Sequence, residues 1–449
     1  MVPLRSRRLE GIFGARLDAV SHAQVASLVT NAVTEASDLD FKKELYGASD
    51  RAKRDLAGDV AALANTSGGV LVLGIEEDDQ ARAKAAPGVA VSDAEVRRVE
   101  QIVADTVYPT PTINVWQVED PQQEGHGFLL IAVPPSPMAP HAVQVDKGLR
   151  YPRRYGTTTT YLTETQVSAA YRERFAAIQG RYNDLARYEG DLVDRLDGRY
   201  LTSVVVTLVP DLSGDFALDA KAMRQLQEEL VGKDPRIVPR GSYYERVTVG
   251  SRRLIAYAGS SAVAATYLAC ELHKSGAGVY AAAVTDRRAN GPGTRVPESD
   301  DVSRIDDEDI VLDIWSGLRF LARHARDRAA AGGNATVRVT LWPVSHRFPA
   351  ELHHPRSYGG VLGAHQALSP PVATDVFDID DLAEDGPALV AAAAGLATDL
   401  IQYFGYPEVL QMTNDGRIRT KYWSRERYGP QVMAWAATAG VELTDETVT

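Results

Sequence analysis

A chain of 449 residues with 45% hydrophobic and 24% charged residues has the composition of an ordinary globular protein and the length of two or three domains. Its net charge of −12 is opposite to the basic balance usual in nucleic-acid binders, so any such surface must be local. The single cysteine, Cys270, excludes an internal disulfide and a cysteine-based zinc site, and no apolar run reaches the about 18 residues that predict a membrane span.

The N-terminus, MVPLRSRRLEGIFGARL, is basic but lacks the continuous apolar stretch of a signal peptide, which predicts a cytoplasmic protein with no membrane partner. SHAQVASLVTNAVTEAS has helical spacing, with Ser21 as N-cap and Glu35 near the helix end. LDFKKEL reads as a strand. Its period of two puts Leu39 and Phe41 on one face and Asp40 and Lys42 on the other. SDRAKRDLAGDVAALANT is a second helix with Leu56, Val60, Leu63 and Ala64 on one side, and SGGVLVLGI is a strand of the fully buried kind, because it does not alternate. A third helix, SDAEVRRVEQIVADTV, precedes the strands PTINVWQVED and HGFLLIAVPPS. HAVQVDKGLRYPRRYG reads as a hairpin turning at Asp146-Lys147-Gly148, and TETQVSAAYRERF as a helix capped by Thr163 that closes the unit near residue 175.

A second block begins near residue 198. RYLTSVVVTLVP is a strand, LDAKAMRQLQEELVG a helix, and SYYERVTVGSRRLIAYAG a hairpin. AATYLACELHKSG has a helical apolar pattern in which Cys270 is buried filler. Residues 286–304 form a polar Gly/Pro-rich loop, followed by the long helix DEDIVLDIWSGLRFLARHARDRAA and the strand ATVRVTLWPV. Trp315, Leu318 and Leu321 read as core, with a dimer face as the alternative. His353 and His354 are adjacent and point apart on a strand, which predicts no metal site.

No P-loop and no dinucleotide fingerprint is present. The double glycine Gly68-Gly69 follows a helix and precedes a strand, the reverse of a phosphate loop, so it reads as a turn. The buried strand then exits onto Glu76, Glu77, Asp78 and Asp79. These acids read either as a solvated loop or, if their strand neighbours that of Asp40, as part of a converging carboxylate set. Hard oxygen ligands of that kind suit Mg²⁺ or Mn²⁺. The basic residues Lys43, Arg51, Lys53 and Arg54 flank the acids, and Lys147, Arg150, Arg153 and Arg154 cluster with Tyr151 and Tyr155. Arginine and lysine on phosphate with tyrosine on a base face make a single-strand or RNA grip, against the alternative of a solvated hairpin with its tyrosines packed inward.

The series EASDLDFK, ALANTSGGVLVLGIEEDD and PHAVQVDKGLRYPRRYGTTTTYLTETQVSAAYRERF, in that order, resembles the Schlafen AlbA_2 domain over about residues 30–175. The resemblance implies an α+β nucleic-acid-binding module, in some members a metal-dependent endoribonuclease acting on tRNA or rRNA through three carboxylates. Carried onto this chain, the first acid falls on Glu35, the second on Asp40 and the third on Glu77, with Asp78 one step away. Lys42 would assist on the phosphate. Two features depart from the family. The second acid is usually Glu, and Asp40 is one methylene shorter. The single cysteine also excludes the zinc site of animal Schlafen proteins, whose doubled arrangement would here require a homodimer.

The expected architecture is therefore α+β throughout: a lead-in over 1–29, the Schlafen AlbA_2 domain over 30–175, a helical linker over 176–199, and a separate α+β domain over 200–449 that senses or dimerises. The expected function is metal-dependent cleavage of structured RNA such as tRNA, with RNA favoured over DNA, in a phage-defence or toxin-like role. The alternatives are a non-catalytic DNA-binding regulator and an interaction scaffold that keeps the fold.

Overall fold

The computed structural model describes residues 4, 6–145, 148–196, 198, 201–241, 243–258, 268–286, 302–353 and 366–448. The turn residues Asp146 and Lys147, most of the predicted 286–304 loop, and His354 lie outside the described residues. The chain divides into two compact units, Met1–Gly180 and Arg181–Thr449.

In the first unit the elements are α1 (Arg7–Phe13), α2 (His22–Thr30), β1 (Leu39–Lys42), α3 (Asp50–Ala64), β2 (Gly69–Leu73), β3 (Glu76–Glu77), β4 (Ala83–Ala85) and β5 (Val89–Ala90). There follow α4 (Asp93–Thr106), β6 (Val107–Tyr108), β7 (Asn114–Asp120), β8 (Gln123–Val133), β9 (Ala142–Val145), β10 (Gly148–Arg150), β11 (Pro152–Tyr155), β12 (Thr158–Tyr161) and α5 (Glu164–Val193). The central sheet runs β1-β2-β8, with β5 and β7 also paired to β8. Among the described residues β1 pairs with β2 alone, in parallel, and so is the edge strand, with Asp40 beside Leu71.

All five residues of β2 are buried because the sheet is covered on both faces. Leu71 and Leu73 pack with Leu56, Val60 and Leu63 of α3 and with Val99 and Val103 of α4. Val70 and Val72 pack on the other face with Leu39, Phe41, and Val25 and Leu28 of α2. The alternation on β1 follows. Leu39 and Phe41 face the α2 side, which leaves Asp40 and Lys42 on the α3 side.

Three boundaries differ from the sequence expectation. Ser21 does form a capping box with Gln24, but α2 ends at Thr30, so Glu35 lies beyond it on an extended segment where Thr34 bridges to Arg82. β-Branched Val33 and Thr34 favour that extended course. The tract TTTY is a strand, β12, paired to β11. A single 30-residue helix, α5, runs where a closing helix and a separate linker were expected. No proline interrupts it, and an interior glycine such as Gly180 weakens a helix by only about 1 kcal/mol.

The second unit contains β13 (Leu201–Leu212), α6 (Ala220–Leu230), β14 (Arg246–Gly250), β15 (Arg253–Ala258), β16 (Leu268–His273), β17 (Gly278–Asp286) and β18 (Ser303–Asp306). It continues with α7 (Asp307–Arg323), β19 (Gly332–Trp342), β20 (Ala350–His353), β21 (Val372–Asp378), α8 (Ile379–Ala383), α9 (Pro387–Ile401) and α10 (Gly429–Ala439). Its antiparallel sheet has the order β14-β15-β16-β17-β13-β19-β21. Val204, Val206 and Leu208 of β13 meet α7 on one face, and Val205 and Val209 meet Leu192 and Leu185 on the other. Trp315, Leu318 and Leu321 are wholly buried in this core.

Cys270 corrects the expected helix. It lies in β16, six consecutive buried residues, and a short run buried on both faces has no period that separates strand from helix. Burial pushes its thiol up to about 12. The stretch Pro387–Phe404 is long and apolar enough by length and composition to cross a membrane. In the fold it is a core helix, with Leu389, Val390, Ala393, Ala394, Ala397, Leu400 and Ile401 all buried.

Candidate functional site

The site forms where edge strand β1 meets the hairpin β11–β12. Pairing of Arg154 with Thr159 and Arg153 with Thr160 sets the hairpin register, and alternation sends successive side chains to opposite faces. Arg154 is buried and points inward, whereas Arg153 and Tyr155 are exposed. The guanidinium of Arg154 donates from Nη1 to Asp40 Oδ1 at 2.7 Å and from Nη2 to the Ala36 carbonyl at 3.2 Å. The other Asp40 oxygen accepts from Lys42 Nζ at 2.5 Å. Arg154 therefore departs from the expected phosphate contact: it is the internal counter-ion of Asp40.

Glu35 adjoins this pair. Its Oε1 accepts the Phe41 amide at 2.6 Å, and its Oε2 lies 4.0 Å from Arg154 Nη2. Burial, with the nearby charges of Asp40 and Glu77, pushes the Glu35 carboxyl up from 4.5 to about 8 despite the Phe41 hydrogen bond. The Lys42 ammonium is disfavoured by burial, but the carboxylates of Asp40 and Asp59 reverse this and raise its pKa. Asp59, projecting from α3, lies 3.8 Å from Lys42 and accepts a hydrogen bond from Tyr46 at 2.6 Å. Glu35, Asp40 and Lys42 thus come together, and Asp59 and Tyr46 join them. Sequence reasoning passed over both. The available signal was an acid one residue before Val60 on the apolar side of a helix.

The N-T-S-G-G turn holds the hairpin in place. Asn65 accepts from the His141 amide at 2.6 Å and donates to the carbonyls of His141 and Pro152, each at 2.8 Å. Thr66 Oγ1 accepts the Arg154 amide at 3.1 Å. Gly68 sits at φ +71°, and a Cβ there would lie 2.5 Å from the Val133 carbonyl oxygen. Only glycine allows the chain to leave α3 and enter the sheet this close to β8. His141 is a buried framework group, with Nδ1 2.5 Å from the Pro109 carbonyl and burial lowering its pKa.

The remaining predicted acids follow β2, on β3 and in the turn after it. Glu77 is exposed on β3. Asp78 closes a turn, accepting from the amides of Gln80 and Arg82 and from the Arg82 guanidinium, which pulls its pKa down to about 2. Glu76 pairs with Lys43 and Lys84. The four carboxylates expected to hold Mg²⁺ or Mn²⁺ do not fit that ion as arranged. Both Asp40 oxygens already face cations, and Asp78 is engaged in its turn. Among the described residues no group of three or more His, Cys, Asp or Glu is arranged to hold a metal.

Of the predicted basic residues, Lys43 pairs with Glu76 at 3.1 Å, and Arg51, strongly exposed at the start of α3, has Asp55 at 4.0 Å. Lys53 and Arg54 are half-buried on the same helix. Arg150 is exposed, with its guanidinium 6.0 Å from the Tyr161 ring centroid.

Fold and site together define an α+β module built around a carboxylate–guanidinium–ammonium cluster at a sheet edge. Residues 35–163 match the family described as Schlafen, AlbA_2, so the chain carries a Schlafen AlbA_2 domain within its first unit. Among solved structures, the DIP2311 protein from Corynebacterium diphtheriae is 24% identical over 31% of this chain and 29% of its own, with a TM-score of 0.22. The N-terminal domain of a RecG-related protein from Nitrosomonas europaea is 19% identical over 32% of this chain and 92% of its own, with a TM-score of 0.24. Among curated proteins none matches the chain.

Proposed function

We propose that the first unit binds nucleic acid, with RNA favoured over DNA, through the outward face of hairpin β11–β12. The observation that carries this reading is the split of the hairpin arginines. Arg154 is fixed inside on Asp40, while Arg153 and Tyr155, the latter 81% exposed, project together from the opposite face. A side chain held by a buried ion pair makes the strand rigid, so its exposed neighbours meet a phosphate and a base face with little further ordering. Arg150 and Arg51 are also exposed. The Schlafen AlbA_2 match supports the same reading.

A second reading, endonucleolytic cleavage of structured RNA such as tRNA, is favoured by Glu35. A carboxyl group that keeps its proton to about pH 8 beside an ammonium suits proton donation to a leaving oxygen, with Lys42 countering charge on the phosphate. The unit Arg181–Thr449 would then sense or dimerise.

The test is fluorescence anisotropy of the full chain with labelled tRNA and duplex DNA over a salt series, alongside incubation of tRNA in Mn²⁺, Mg²⁺ or EDTA. Arg153→Ala should weaken binding and lower the salt slope by about one phosphate contact. Cleavage lost in Glu35→Gln and Asp40→Asn would establish the second reading. Intact tRNA with binding retained, and preference for duplex DNA, would leave a DNA-binding regulator. Absence of binding to any nucleic acid would refute both readings.

A further inference from the structure

We infer that the first half of α5 is a base-stacking platform, and that the ligand of this unit is therefore single-stranded nucleic acid with unstacked bases. The inference rests on the nucleic-acid reading above and deepens it. Tyr171 and Phe175 are four residues apart and form one row on α5, with rings inclined by 26° and centroids 6.4 Å apart. Tyr151 meets Tyr171 edge-on at 6.4 Å, joining the row to the residue that precedes β11. Phe175 is 63% exposed, an unusual state for a phenyl ring on a helix, and Tyr161 on the hairpin is 58% exposed.

Charge supports a polyanionic occupant. Segment 148–175 carries four arginines besides the buried Arg154, and two glutamates, in a chain whose net charge is −12. At about 100° per residue, Arg172 and Arg174 border the aromatic row on its two sides, and Glu173 points to the opposite side of the helix. Arg172 is exposed. Arg174 is held by the Met138 carbonyl at 3.2 Å, which fixes its charge beside the row. An aromatic row bordered by guanidinium groups matches bases that present their flat faces. A duplex hides those faces in its own stack, so it can use the arginines but not the rings.

The experiment uses the full chain and fluorescently labelled oligouridylate, oligothymidylate and a duplex. Phe175→Ala, a surface substitution that leaves the core intact, should weaken binding to single strands by about fivefold or more and leave duplex binding nearly unchanged. Phe175→Trp should restore single-strand binding, and Phe175→Leu, apolar but not aromatic, should not. The two single strands differ in the 2′-hydroxyl and the base 5-methyl group, so equal loss on both supports stacking as the shared chemistry. Unchanged single-strand affinity in Phe175→Ala, together with loss in Arg153→Ala, would overturn the platform and leave the nucleic-acid reading standing. Failure of the unaltered protein to bind any of the three would overturn that reading and this one with it.

Discussion

Replacing Arg154 by alanine tests whether the site is held together from within. The Arg154 side chain is 2% exposed and that of Asp40 3%, so truncation leaves a carboxylate in a desolvated place with one cation, Lys42, instead of two. Breaking a buried ion pair by removing one partner costs about 3–5 kcal/mol. Lys42, whose side chain is 32% exposed, still compensates part of the charge, which puts the expectation near the lower end, about 3 kcal/mol. For a unit the size of Met1–Gly180 this lowers the melting temperature by about 6–12 °C. Calorimetry of the full chain reads the shift, and hydrogen exchange over residues 35–45 assigns it to the first unit. Asp40→Asn removes the other charge, so the double variant should be less destabilised than the sum of the two, by at least about 1 kcal/mol. A shift below about 2 °C, or strict additivity in the cycle, would show that the pair does not hold the hairpin to β1.

Five further outcomes follow from single residues. Glu35 is protonated in the folded unit up to about pH 8 and ionises near 4.5 when unfolded, so between these values the native state holds the extra proton. Its contribution is fully present below about 4.5 and is lost as the pH rises toward about 8, at up to about 1.4 kcal/mol per pH unit. Urea melts of Glu35→Gln should be flatter across that window, and an unchanged slope would count against the raised pKa. Asn65→Ala forfeits an acceptor and two donated hydrogen bonds and should cost about 2–3 kcal/mol, read as a lower urea midpoint. Gly68→Ala forces a Cβ against the Val133 carbonyl in a left-handed position and should prevent stable folding of the first unit. Gly58→Ala, with open space inside α3, should stabilise it by about 0.5–1 kcal/mol in the same melts. Cys270, wholly buried with its thiol raised to about 12, should react with a thiol reagent only after denaturation, and fast labelling of native protein would contradict its place in β16.

Local chemistry made much of the first unit legible before any tertiary contact was known. Ser21, Ser49 and Ser92 sit just before α2, α3 and α4 because their hydroxyl chemistry satisfies free helix amides. The unbroken apolar run Val70–Leu73 announced a strand covered on both faces, and the alternation Leu39-Asp40-Phe41-Lys42 placed a carboxylate and an ammonium side by side. The order of those pieces also identified the Schlafen AlbA_2 domain.

Other features depend on residues far apart in the chain. Nothing in RYPRRYG distinguishes Arg153 from Arg154; which of them faces Asp40, 114 residues away, is set by the register of a hairpin clamped by Asn65 and Thr66. The same distance effect governs the acids. Glu76, Glu77, Asp78 and Asp79 are consecutive and alike in sequence, yet Asp78 is spent on its own turn and Glu77 remains exposed. Cys270 looked helical because burial on both faces erases the period that separates strand from helix. Periodicity, capping and turn residues act over a few positions, so the sequence by itself determined the elements and the family of the first unit. Pairing of charges and register of strands are long-range choices among chemically equivalent groups, and only the tertiary structure decided which arginine neutralises Asp40 and which is left exposed.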